Sequence, residues 1–246
     1  MAQRRVGLGG IVALLAGIVM GGPQPVYAVI VNGGFESGDV TGWSAGGDVS
    51  VETAAFGTGP TEGTYQAKLT SGAFSVSASD LETFLGLASG TLNGLSPSGQ
   101  AAVEGSGIMQ TFSANAGDVL SFDWNFLTNE IADGSGINDF AFASLGAPFV
   151  LADTFTLARA SSSVDFADET GFQTSLFTLP SSGLYTLKLG VVDVEDRSVD
   201  SGLLVDRVSL RSSDPGPVIP EPTSLLLVGL GGLGAGLLRM RRRRRR

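Results

Sequence analysis

The sequence predicts a mainly β protein: an antiparallel, jelly-roll-like β-sandwich with one short helical insertion, flanked by an N-terminal signal helix and a C-terminal transmembrane helix. Three observations predict it. Between residues 29 and 212, apolar and polar residues alternate in short runs, which is the period of a half-buried strand. Glycine is abundant, 36 of 246 residues, and with plentiful Ser, Thr, Phe and Val it favours strands joined by tight turns over helices. Both ends are apolar runs beside arginines, unlike the body between them.

Residues 1–28 have the form of a secretory signal. Arg4 and Arg5 begin it, residues 6–20 are apolar apart from glycines, and Gly21-Gly22-Pro23 breaks the helix. Val26-Tyr27-Ala28 supplies the small residue needed before a cut, so signal peptidase is expected to cleave after Ala28. The passenger domain follows at 29–212. Its clearest strand is 119–127, where Leu120, Phe122, Trp124 and Phe126 share one face and Ser121, Asp123 and Asn125 the other. The turn Asn115-Ala116-Gly117-Asp118 is expected to reverse the chain into it from a strand at 108–112. Further strands are expected at 49–53, 65–69, 140–145, 154–159, 172–179, 185–193 and 203–210. One helix is expected after an Ser79-Asp80 cap, with Leu81, Phe84, Leu85 and Leu87 at helical spacing and an end at Gly90.

The linker 213–219 contains Pro215-Gly216-Pro217, an extended, helix-poor run. The tail, 220–246, is Pro220-Glu221-Pro222, an apolar stretch to Leu238, then Arg239-Met240 and six arginines. Sixteen helical residues span about 24 Å, short of a ~30 Å hydrocarbon core, and snorkelling or local thinning closes the gap. The arginines hold the cytoplasmic side, so the passenger lies outside.

Charge is divided the same way. Residues 29–219 hold six basic residues against 23 acids, a net charge of −17. That argues against a nucleic-acid partner, since nothing basic would face the phosphates. The chain has no cysteine and no histidine. It therefore folds without disulfides and lacks the histidine of Ser–His and Cys–His catalysis and of most zinc sites.

The tripeptide Pro220, Glu221, Pro222, the apolar stretch and the basic terminus together resemble the PEP-CTERM sorting domain. The resemblance implies a Gram-negative bacterium, an inner-membrane intermediate, and an exosortase-like membrane enzyme that cuts the tail near the tripeptide. It also implies an association with exopolysaccharide and biofilm matrix. Within the passenger, the opening Val31-Asn32-Gly33-Gly34-Phe35-Glu36 and the closing Val205-Asp206-Arg207-Val208-Ser209-Leu210 resemble the end strands of galactose-binding-like jelly rolls, a group that includes many carbohydrate-binding modules. That resemblance implies a structural calcium shared by Glu36 and Asp206. Arg207 stands where a second aspartate is common, and strand alternation sends it to the face opposite Asp206.

Trp43, Tyr65 and Tyr185 are candidate platforms for sugar rings. Trp43, retained as the candidate ligand residue, also suits a plug at the end of a sandwich. Glu130 and Asp139 flank the loop 131–138, and Asp193, Glu195, Asp196 and Asp200 precede the last strand. Paired carboxylates of this kind serve glycoside hydrolysis, a second cation site, or simply solvation. The expected function is non-enzymatic: an exported surface or matrix protein, sorted by an exosortase-like system and associated with polysaccharide. A dedicated carbohydrate-binding lectin and a glycoside hydrolase are the alternatives.

Overall fold

The structure, a computed structural model, describes residues 30–131, 137–155 and 160–213. The expected signal segment with its cut after Ala28, the linker beyond residue 213 and the tail with Pro220, Glu221 and Pro222 lie outside the described residues. In chain order the elements are β1 (Ser44–Gly46), β2 (Asp48–Thr53), β3 (Tyr65–Thr70), β4 (Val76–Ser77), α1 (Ala78–Leu85), α2 (Thr91–Leu95), β5 (Ala102–Ala114), β6 (Val119–Thr128), β7 (Phe140–Ser144), β8 (Pro148–Asp153), β9 (Ala160–Ser161), β10 (Asp168–Glu169), β11 (Gln173–Thr178), β12 (Gly183–Val194) and β13 (Ser201–Arg211).

They form two antiparallel sheets. One runs β1-β5-β12-β7-β8, with β4 also on β5. The other runs β2-β3-β13-β6-β10-β9, with β11 also on β6. The main core lies between them. The predicted inward face of β6, Leu120, Phe122, Trp124 and Phe126, is buried there with Leu203, Val205 and Val208 of β13 and Ile108, Leu187 and Leu189 from the opposite sheet. A second apolar layer covers the outer side of the first sheet, where Leu81, Leu85 and Leu92 of the two helices pack on Phe140, Phe142 and Val192.

Several boundaries differ from expectation for local reasons. The turn at 115–118 is present, with Asp118 N–H donating to the Asn115 carbonyl. It carries the chain from one sheet to the other, because β5 and β6 belong to different sheets. Strand β5 starts six residues earlier than expected. Its Gly105 meets the Val191 carbonyl so closely that a Cβ there would collide, and a glycine run carries no alternation signal. The strand expected at 154–159 is instead β8, which ends at Asp153 with Thr154 and Phe155 in a turn; 156–159 lie outside the described residues. Pro148 opens β8, a place the ring tolerates on an edge strand. The helix begins earlier, capped by the Ser77 hydroxyl accepting from Asp80 N–H, and ends at a left-handed Gly86. Gly90 instead starts α2.

The expected opening strand is a series of turns, with Asn32 (φ 51) and Phe35 (φ 58) left-handed. It is tied down by other means. The Gln110 amide brackets Val31, accepting from its N–H at 2.8 Å and donating to its carbonyl at 2.9 Å. Val208 N–H donates to the Gly33 carbonyl at 2.9 Å. The two ends of the domain therefore meet, as a jelly roll requires.

Candidate functional site

A trough opens on the outer face of the seven-stranded sheet, with a volume of about 400 Å³. Its shape follows from the register of β13, β6 and β11. The middle cross-strand row is Ser209, Ser121 and Leu176. Ser121 and Ser209 share a hydrogen bond at 2.8 Å and form a low floor. Leu176, 68% exposed, stands as one wall. On β13, Arg207 and Arg211 rise on either side of Ser209, and Thr174, Val119 and Ser212 complete the lining; none of the lining residues is acidic.

Arg207 reaches this face through a β-bulge. Asp206 pairs with Asp123 and Ser209 with Ser121, so β13 spends one extra residue between them, and Arg207 takes φ +49 there. Plain alternation would turn Arg207 away from Asp206, as the sequence suggested. The bulge instead leaves both on the outer side and returns Val208 to the core. Arg207 Nη2 then donates to Asp123 Oδ1 at 3.0 Å and forms an ion pair with Oδ2 at 2.8 Å, and Thr174 Oγ1 donates to Oδ1 at 2.7 Å. Burial pushes the Asp123 carboxyl up, but the Arg207 and Thr174 hydrogen bonds more than offset it and hold it below the ordinary carboxylate range.

Glu36 and Asp206, the expected calcium ligands, are both drawn to the loop 61–65. Glu36 Oε1 accepts from Thr64 N–H and Tyr65 N–H at 2.8 and 3.0 Å. Asp206 Oδ2 accepts from Thr61 N–H, the Thr61 hydroxyl and Glu62 N–H at 2.7–2.9 Å, and Oδ1 accepts from Arg207 N–H at 2.6 Å. Burial raises the Asp206 carboxyl and these donors pull it back. Gly34 lies between Glu62 and Asp206: a Cβ there would be 3.1 Å from Glu62 Oε1 and 3.7 Å from Asp206 Oδ1, whereas the Glu36 carboxylate lies against Gly63. Backbone N–H groups thus already supply part of the neutralisation expected of a cation. Among the described residues, no group of three or more acidic side chains is placed to hold a metal ion. Glu36 and Asp206 offer oxygens, but Asp206 has both of its own engaged.

Of the two roles expected of Trp43, the structure shows the plug. It is 7% exposed, stacks on Phe35 at 5.6 Å and donates Nε1–H to the Asn32 carbonyl at 3.2 Å. Its ring packs the end of the core and does not form an open platform. Tyr185 likewise stacks on Phe112 at 6.2 Å, and its hydroxyl donates to the Ser181 carbonyl.

The loop acids divide: Glu195 and Asp200 are exposed and Asp196 is half-buried, whereas the others are buried. Asp139 and Asp193 are 0% and 2% exposed, adjacent because β7 and β12 pair up to Phe140 opposite Val192. Asp139 accepts from Val194 N–H at 2.9 Å and from the Ser201 hydroxyl at 2.7 Å. Burial, then contact with the Asp139 carboxyl, pushes Asp193 up to about 10, and burial raises Asp139 as well. Both shifts favour one proton held between the two carboxyls, with Asp193 the donor. Glu130 is buried too. Two carboxyls in direct contact leave no room for the sugar and water that glycoside hydrolysis places between them.

Comparison with known proteins matches the PEP-CTERM protein-sorting motif to residues 218–245. The motif marks the chain as a sorted, membrane-transiting protein. A search of curated protein sequences finds no match. Among solved structures the chain is similar to TmCBM61 in complex with β-1,4-galactotriose, with 15% identity and TM-score 0.41 over 74% of this chain and 97% of that one. It is also similar to TmCBM27, a mannan-recognising module, at 15% identity and TM-score 0.38, over 71% and 91%. A third is the CBM22-1 xylan-binding domain of Paenibacillus barcinonensis Xyn10C, at 13% identity and TM-score 0.30, over 75% and 92%.

Proposed function

We propose that this is a non-enzymatic surface protein of a Gram-negative bacterium, held in the inner membrane, cut by an exosortase-like enzyme, and then associated with polysaccharide outside the cell. The observation that carries the sorting is the motif match at 218–245, in which Pro220, Glu221 and Pro222 precede an apolar run and an arginine block. The non-enzymatic reading is supported by the acids: none lines the trough, and the Asp139–Asp193 pair is buried elsewhere. A lectin role fits the same trough. Structural calcium at Glu36 and Asp206 belongs to this proposal as a stabilising ligand of the end strands.

Mass spectrometry of the mature protein tests the sorting. Val29 should be the first residue, after signal peptidase cuts behind Ala28, and no peptide should extend beyond the Pro220–Glu221–Pro222 region. Glu221→Ala should leave an uncut, membrane-held form. An intact arginine tail in the mature membrane-bound pool would overturn exosortase processing and leave a plain anchor.

A further inference from the structure

We propose that the trough between β13 and β11 binds a carboxylate-bearing polysaccharide, a uronate-containing chain, with Arg211 as the side chain that recognises the acid; this rests on the polysaccharide-associated reading above.

The first argument is charge. In a passenger of net charge −17, a surface lined by two arginines and no acid is unusual. The other cations with described side chains are engaged. Lys68 pairs with Glu52 at 2.9 Å, Arg197 with Glu104 at 3.0 Å and Arg207 with Asp123 at 2.8 Å. Lys188 Nζ donates to the Gly86 carbonyl at 3.3 Å. Arg211 alone has no ion pair or side-chain hydrogen bond to a described residue. A guanidinium stays charged at all working pH values, sheds water readily and offers a planar fork that matches a carboxylate. At physiological ionic strength the Debye length is about 8 Å, so the distant acids are screened and a ligand in the trough meets Arg211 first.

The second argument is shape and lining. The serine row sinks the floor between the two arginines, and Leu176 stands exposed across it. A pyranose ring has the complementary pattern, an apolar C–H face and a rim of hydroxyls. The Ser121, Ser209 and Thr174 hydroxyls both donate and accept, and Leu176 offers apolar contact that a free inorganic anion would not use. The volume falls in the roughly 300–1,000 Å³ range of ligand pockets.

Titration calorimetry on the full chain in detergent, with polygalacturonate oligomers and neutral galacto-oligosaccharides of equal length, tests the assignment. The acidic oligomer should bind and weaken as salt is raised. Arg211→Gln should weaken it by about ten-fold or more with an unchanged melting temperature, since the side chain makes no ion pair or hydrogen bond to a described residue. Leu176→Ala should weaken it too, and Lys188→Gln, outside the trough, should not. Equal binding of the neutral oligomer, indifferent to Arg211→Gln, would overturn the uronate assignment and leave the polysaccharide reading standing. Acidic binding unaffected by both Arg211→Gln and Leu176→Ala would overturn the trough as its place. Binding of neither oligomer, nor of a wider panel of extracellular glycans, would overturn both readings.

Discussion

Replacing Asp193 by asparagine should stabilise the protein, an unusual outcome for a buried polar position. Asp193 is 2% exposed and faces Asp139, whose oxygens already accept from Val194 N–H and the Ser201 hydroxyl. The folded state therefore keeps a proton on Asp193, which the unfolded chain releases near its ordinary value of 3.8. Folded stability is then full below pH 4 and falls as pH rises toward about 10, where the folded group would ionise. The slope is up to about 1.4 kcal/mol per pH unit, so by pH 7 the proton costs on the order of 4 kcal/mol. Asparagine offers Asp139 a permanent N–H and keeps a carbonyl for the Ser71 hydroxyl that Asp193 also meets. At pH 7 the gain should be about 2–4 kcal/mol, an increase of roughly 4–16 °C in melting temperature for a domain of this size. It should widen at pH 9 and vanish at pH 4. The chain has no histidine and no cysteine, so neither an imidazole nor a thiol blurs this window. Urea unfolding of residues 29–213 and of the variant across pH 4–9 would measure both slopes. A wild-type stability flat from pH 5 to 9, with the variant weaker throughout, would refute the shared proton.

Two further predictions concern the meeting of the chain ends. If calcium joins Glu36 and Asp206, EGTA should lower the melting temperature of residues 29–213, calcium but not magnesium should restore it, and Glu36→Gln or Asp206→Asn should each abolish the response; at 100 times the dissociation constant the gain is about 2.7 kcal/mol. A melt indifferent to EGTA would assign the neutralisation to the N–H groups of loop 61–65. Gly33→Ala should cost about 1–3 kcal/mol by forcing its Cβ into the Val208 carbonyl, read as a lower denaturation midpoint with an unchanged slope.

The parts of the fold legible in the sequence are those where a strand has one apolar and one polar face, whether or not the polar face is itself covered. β6 announces itself because Leu120, Phe122, Trp124 and Phe126 alternate with polar residues. The start of β5 does not, because α1 covers the sheet face that would otherwise carry polar residues, and glycines hold the close approaches. The acid pair shows a different limit. Asp139 and Asp193 were both visible as candidates, but only the pairing of β7 with β12 places them in contact. Burial then changes their chemistry from solvated loop acids to a proton-sharing pair. Trp43 was visible too, but whether an aromatic ring packs or faces solvent is settled by its neighbour Phe35.

The trough was the least legible feature because it depends on one inserted residue. Alternation over residues 205–211 without a bulge would put Arg207 inward with Val205 and leave Val208 facing water. The bulge between Asp206 and Ser209 shifts the second half of β13 by one position, and a one-residue shift exchanges the two faces of everything beyond it. Val208 and Leu210 then meet the core, while Ser209 and Arg211 line the trough on the outside. The same bulge leaves Arg207 beside Asp123, where it neutralises an acid that is 2% exposed. Its backbone N–H meanwhile helps hold Asp206 to the loop 61–65. The local kink that closes the fold at its two ends is thus also what exposes, on an otherwise acidic domain, an arginine with no ion pair among the described residues.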